Sequence, residues 1–391
     1  MRVIEARKLP DFQTFCESKF HLSHRAAAVR DKRGDAKVAA STVFSAVWLM
    51  GALGLGALLS IDHMLRTPIG KRWFGRKKPA VSDSTMSRSL EVTDLDTLRA
   101  VLYDAYRFGR KQGVSKCTVR CGKLRIGIID GSGFGRLLAS CFEIVGPVSL
   151  MVDLEPMDKH GKELPSSYVL LRRLLSVFGK GFVDLILGDG LYLNAPFFNL
   201  CLDELGADVL VKTDDTTRCI IADAMGIFQS ADMFTDGITT ASGVDTPRMC
   251  AYQVMATDGF TLEGVEANLT VAWVQETNIR TGEQTEFWVI TSISGLTPEE
   301  LRELAHWRWD VENNGFKQLN QTVVTKRIYS HDPVAQAACL LILFAVFNLL
   351  GIFLSAYWAR VCDFLGVEPT RCLGIELIRQ FVTVHAYLDD G

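Results

Sequence analysis

No two of the ten cysteines are spaced Cys-x-x-Cys. The closest pair, Cys117 and Cys121, cannot alone complete a tetrahedral zinc site. Cys16, His21 and His24 are near enough in sequence to share a metal, but a second pair of ligands is missing. The cysteines therefore read as reduced and structural, which fits a cytoplasmic location. No secretory leader is expected either, because the first fifteen residues are charged and mixed. There are no internal repeats and no low-complexity segments. Net charge is only −3 over 391 residues, which taken as a whole argues against a nucleic-acid partner.

The distribution of charge reverses that reading. Residues 1–78 hold 15 Lys and Arg against 6 Asp and Glu, a balance of +9 that leaves −12 on the rest. A basic head suits contact with phosphate, and an acidic body suits metal binding. Charge is absent altogether from residues 43–61 and 334–359. Both stretches reach the length of a membrane span. A helix buried on all sides has the same composition. Between them lie roughly 270 residues patterned like an ordinary α/β domain, so burial is the expectation and a membrane is not.

The head, residues 1–118, reads as helical, with a break at Thr67-Pro-Ile-Gly70. A basic loop follows, Lys71-Arg-Trp-Phe-Gly-Arg-Lys-Lys-Pro79, offering Lys71, Arg72, Arg76 and Lys77 to DNA. Ser82 or Asp83 can cap a short helix presenting Thr85, Arg88 and Ser89. A short polar helix behind a basic loop is how a helix-turn-helix offers its recognition helix.

The texture changes at residue 124. Strand-like runs cover 124–130, 141–145 and 148–154, then a helix 167–178 and a strand 183–188. A helix 196–205 and a strand 208–212 follow. Three consecutive strands and then alternation is the order of an RNase H-like core, here residues 119–213. Residues 214–285, rich in Thr, Gly and Val, read as a β-rich insertion. The core resumes over 286–330 with a strand at 286–294. The helix after it opens on Thr297-Pro-Glu-Glu, with a capping residue, Pro and early acids. Apolar helices fill 331–391. The expected class is α/β.

Three carboxylates stand where such a core can bring them together. Asp130 ends the run Leu124-Arg-Ile-Gly-Ile-Ile129 and precedes Gly131-Ser-Gly133. Asp189 ends Val183-Asp-Leu-Ile-Leu-Gly188 and precedes Gly190. Glu312 lies in the helical pattern Trp307-Arg-Trp-Asp-Val-Glu-Asn-Asn-Gly-Phe-Lys317. Hard oxygen ligands select Mg²⁺ or Mn²⁺. Two such ions, roughly 3.5–4 Å apart, activate the attacking oxygen of a phosphodiester substitution and stabilise the leaving one. Asp130 would bridge them, with Asp189 and Glu312 completing one site each. Arg308, one turn before Glu312, would steady the carboxylate or meet a phosphate. Asn313 can bond backbone or DNA. Lys317, about 140° of helical rotation past Glu312, points toward DNA backbone instead. Trp307 and Trp309 suit packing better than base stacking.

At these motifs the sequence resembles bacterial DDE-type insertion-sequence transposases, in the group related to insertion sequence four. Arg308-Trp-Asp-Val-Glu312 and its flank are similar to that group's third-acid block, as is Ile328-Tyr-Ser-His-Asp-Pro-Val-Ala335. Asp189-Gly-Leu-Tyr192 and Ile128-Ile-Asp-Gly-Ser-Gly133 resemble the first two blocks, and residues 79–90 the segment ahead of the catalytic domain. Two positions depart: Ala305 where the group often has Tyr, and Leu319 where it often has Lys. The resemblance implies Asp130, Asp189 and Glu312 as catalytic metal ligands and two Mg²⁺ ions, with Mn²⁺ able to substitute. It also implies double-stranded DNA as partner, both terminal inverted repeats and target, with strand cleavage and 3′-OH transfer by a homodimer.

Two other readings fit part of the pattern. One is a catalytically inactive, transposase-derived DNA-binding protein. The other is an actin- or sugar-kinase-like ATPase, whose phosphate loop Asp130-Gly-Ser-Gly133 faintly resembles. That fold would need a second glycine-rich loop and an adenosine motif, and it gives the Arg308–Glu312 block no role.

Overall fold

The computed structural model describes residues 8–74, 81–114, 124–146, 148–158, 160–230, 237–310 and 316–355. It is mixed α/β with a nine-stranded sheet. In chain order the helical head comprises α1 (Lys8–Ser18), α2 (Leu22–Ala26), α3 (Ala40–Ala52), α4 (Leu58–Arg66), α5 (Pro68–Phe74), α6 (Asp83–Leu90) and α7 (Leu95–Gln112). Then come β1 (Ile126–Phe134), β2 (Leu137–Ile144), β3 (Leu150–Pro156), α8 (Glu163–Phe178), β4 (Leu185–Asp189), α9 (Ala195–Asn199) and β5 (Asp208–Thr213). The later elements are α10 (Cys219–Ser230), β6 (Ile238–Asp245), β7 (Cys250–Phe260), β8 (Leu269–Asn278), β9 (Gln284–Thr291), α11 (Pro298–Asp310), α12 (Phe316–Val323) and α13 (Pro333–Phe353). Strand order is β3-β2-β1-β4-β5-β9-β8-β7-β6.

The chain forms two compact units. One comprises Met1–Lys116, Gly131–Ser166 and Asn314–Gly391; the other comprises Cys117–Asp130 and Ser167–Asn313.

In the first unit the core is built around α13, long and apolar enough to cross a membrane but buried from Ala335 to Phe353. Asp332 caps it by accepting from the Ala335 amide at 2.9 Å, and Pro333 takes a first-turn position where no amide is needed. It packs against α3, α7 and β3. A Cβ added to Gly51 of α3 would stand 2.7 Å from the Cδ2 methyl of Leu343, so α13 side chains pack directly onto this glycine. Two polar side chains of this uncharged stretch clasp backbone. Gln336 accepts from the Tyr329 and Ser330 amides and donates to the Phe134 and Arg327 carbonyls. Asn348 both donates to and accepts from Met151. The other uncharged stretch is divided between α3 and α4, with Gly54 in the left-handed region (φ 61°) between them.

The capped helix is α6, with Ser82 accepting from the Thr85 amide at 3.3 Å. The expectation that it presents Ser89 does not hold. Ser89 is fully buried and donates to Asp31 at 2.7 Å, while Met86 and Leu90 join it in facing the core.

In the second unit, β4 lies between β1 and β5, parallel to both. β9 then pairs antiparallel with β5, and β8, β7 and β6 follow as an antiparallel meander. The strands between residues 214 and 285 therefore prolong the same sheet through β9. That segment also contains a helix, α10, which its Thr- and Gly-rich texture does not announce.

Candidate active site

Parallel register brings two of the sequence-selected acids together. Ile128 of β1 is the partner of Leu187 in β4, so Asp130 and Asp189, each two residues further on, end up side by side on one face. Asp189 in turn partners Lys212 on β5. The row Asp130, Asp189, Lys212 crosses three parallel strands: Asp189 ends β4 and Lys212 is one residue from the end of β5, the edge where open α/β sheets place their ligands, while β1 continues past Asp130 to Phe134.

Above the row runs α11. Its start is a reciprocal cap: the Glu300 amide donates to Thr297 Oγ1 at 3.2 Å, and the Thr297 amide donates to Glu300 Oε2 at 2.9 Å. Near its end Arg308 reaches both acids, with Nη2 3.3 Å from Asp130 Oδ1 and 3.4 Å from Asp189 Oδ2. The Arg308 and Asp130 side chains are only 10% and 12% exposed, whereas Asp189 is 37% exposed. The other Asp189 oxygen accepts from the Leu191 amide at 2.9 Å, which fixes the carboxylate. A Cβ on Gly190 would come within 2.5 Å of Thr213 Oγ1, so this turn tolerates glycine alone.

A cleft of about 650 Å³ opens beside Asp189 and Arg308. Lys212 lines it, its ammonium 4.2 Å from the centroid of the Phe287 ring. Arg218 lines it too, bonded to Asp215 at 3.0 Å.

A buried ionic network holds the opposite face of α11. Arg302, 5% exposed, donates to Glu276 of β8 at 2.5 Å and to Asp245 of β6 at 2.9 Å. His306 bonds the same Glu276 oxygen at 2.6 Å. Arg248 joins Asp245 to Glu303, and Trp307 Nε1 donates to Glu303 at 2.9 Å. Burial pushes the Asp245 carboxyl up, but the hydrogen bonds of Arg248 and Arg302 prevail and bring it down to about 2. Glu276 is also lowered: burial opposes this, and His306 and Arg302 outweigh it.

Among the described residues, no group of three or more His, Cys, Asp or Glu is suited to hold a metal. Cys16, His21 and His24 make no such group. Asp130 and Asp189 supply the hard oxygens that Mg²⁺ or Mn²⁺ prefers. Glu312 and Asn313, like Arg76 and Lys77, lie outside the described residues, as does the Arg72 side chain. Lys71, Arg88 and Lys317 are exposed, on α5, α6 and α12 respectively, and Arg88 Nε donates to the Ser84 carbonyl. Trp307 is engaged with Glu303 rather than open to a base.

The sequence reading passed over Lys212, although it stands one residue from the end of its strand as Asp189 ends the one beside it. Arg302, Glu276 and His306 were missed as well. Only the pairing of distant strands reveals them. The chain matches no protein-family model and no curated protein sequence.

Proposed function

We propose that this chain is a DDE-type transposase, cutting DNA at element ends and joining the freed 3′-OH to target DNA. One observation carries the reading. Asp130, midway along β1, and Asp189, at the end of β4, sit side by side on adjacent parallel strands, and both are contacted by Arg308 from the helix that leads toward Glu312. The strand order β3-β2-β1-β4-β5, with β1, β4 and β5 parallel, supports an RNase H-like core.

Asp130, Asp189 and Glu312 would hold the divalent ions. When bound, two such ions activate the attacking oxygen and stabilise the leaving one. The chain's own residues do the rest. Leu191's amide keeps the Asp189 carboxylate aimed, and Arg308 balances the paired negative charges. The lack of a side chain at Gly190 lets the turn after Asp189 close against Thr213, which keeps that carboxylate in place. Lys71, Arg72, Arg76, Lys77 and Arg88, with Asn313 and Lys317, would hold DNA through phosphates, which fixes position without reading sequence.

The test is Mn²⁺-dependent nicking of plasmid DNA by wild type, Asp189→Asn and Glu312→Gln. Cutting by wild type alone supports the reading. Equal cutting by all three overturns the assignment of the site.

A further inference from the structure

Arg308 occupies two of the four carboxylate oxygens that a cation could use. Its Nη2 contacts Asp130 Oδ1 and Asp189 Oδ2, one oxygen from each carboxylate, at 3.3 and 3.4 Å. The remaining Asp189 oxygen is committed to the Leu191 amide. A divalent ion bridging the two acids therefore competes with the guanidinium for the same acceptors. The competition is built in. α11 is fixed at its start by the Thr297–Glu300 cap and along its length by the Arg302–Glu276–His306 cluster, so the backbone of Arg308 stays over the acids.

We infer that Arg308 is the resident counter-ion of the acid pair and is exchanged for the divalent ion when the site loads. The inference rests on the transposase reading and adds to it a second task for the same side chain. Arg308 also lines the cleft beside Asp189. Once released from the carboxylates, its guanidinium already faces the space a substrate strand would enter. There its forked donors match the two free oxygens of a phosphodiester.

The charge balance favours this order. With Arg308 on the two aspartates, the trio carries one net negative charge and repels phosphate. A divalent ion added to the same three groups turns that into one net positive charge. The acid pair would thus become attractive to DNA backbone only after it has taken up its metal, while Lys212 and Arg218 line the cleft throughout. Arg308 would move from holding the ligands to holding the substrate, and no proton or bond is made or broken in the exchange.

The experiment is Mn²⁺ titration of the full chain without DNA, followed by electron paramagnetic resonance of free Mn²⁺, for wild type, Arg308→Gln and Arg308→Lys. Removing a competitor should tighten binding, so Arg308→Gln is expected to bind Mn²⁺ about tenfold more strongly while its Mn²⁺-dependent nicking falls. Arg308→Lys keeps a charge but lacks the fork. Its affinity should lie between the other two, and it supplies the test if Arg308→Gln does not fold. Unchanged or weaker Mn²⁺ binding by the variants, with wild type still nicking in Mn²⁺, overturns the exchange and leaves the transposase reading standing. No Mn²⁺ binding and no nicking by wild type or variants overturns both.

Discussion

Asn348 closes both backbone groups of Met151 with one side chain: Nδ2 donates to the Met151 carbonyl at 2.7 Å, and Oδ1 accepts from its amide at 2.9 Å. Met151 lies on β3, the edge strand of the sheet, so the amide covers an edge that would otherwise need another strand. Asn348→Leu fills the space but leaves an amide and a carbonyl buried without partners. The expected loss is about 2–6 kcal/mol, since each of the two orphaned groups costs roughly 1–3 kcal/mol. Urea unfolding followed by circular dichroism measures it; a loss under about 0.5 kcal/mol would mean the pair is dispensable.

Arg302 is the hub between α11 and the outer strands. Arg302→Met keeps the aliphatic bulk but strands Glu276 and Asp245 with less compensating charge. A buried pair broken from one side costs about 3–5 kcal/mol. Adding Glu276→Gln should recover part of that loss, which a double-mutant cycle in urea would show.

The same cluster sets an acid limit. The Asp245 carboxyl sits at about 2 in the folded chain, below its ordinary value of 3.8, and Glu276 is also lowered. Groups depressed by folding stabilise above their unfolded pKa and lose that contribution as pH falls through the folded one. Stability should therefore hold at neutral pH and decline between about pH 4 and about pH 2. In Arg302→Met the decline should be shallower in that window, as thermal melts at stepped pH would report.

Asp189→Asn should separate chemistry from folding. Asparagine keeps Oδ1, so it can still accept from the Leu191 amide, and it is as good a capping residue as aspartate. Its far-ultraviolet spectrum and DNA affinity should match wild type, while nicking falls by at least about a hundredfold. A variant that cuts normally would remove Asp189 from the reaction.

Replacing Lys71 and Arg88 together should weaken DNA binding without changing the fold, since both side chains are exposed. If each meets a phosphate, the slope of log affinity against log salt falls by about 2 in all. An unchanged slope would exclude both from the DNA contact.

The parts legible in the sequence were local ones. The apolar run ending at Asp189 became β4, the run ending at Asp130 became the first half of β1, which continues to Phe134, and Thr297-Pro-Glu-Glu became the cap of α11. Period and punctuation are enough for such features. Helix α10 was not legible: Ile220, Ile221 and Ala224 are its buried side chains, too few for a strong helical stripe. Ser89 was misread because a polar residue on a short helix is ordinarily exposed, and its buried partner Asp31 lies 58 residues away. The grip of Arg308 on both aspartates was equally invisible, since it depends on strands and a helix separated by 119 and 178 positions. What a helical step can show is that Arg308 shares a face with Glu312; it cannot show what that face meets.

The place of α13 in the chain has a consequence for biosynthesis. It is the core helix of its unit, yet its partners α3, α7 and β3 are all made far earlier. Until residues 333–353 leave the ribosome, those partners can pack on one another and on other early elements but lack the apolar helix they share. The other unit lies almost wholly within residues 167–313 and can complete itself first, while the earlier helices wait. Nascent chains halted before α13 should accordingly present the surfaces that chaperones recognise, and chains halted after it should not.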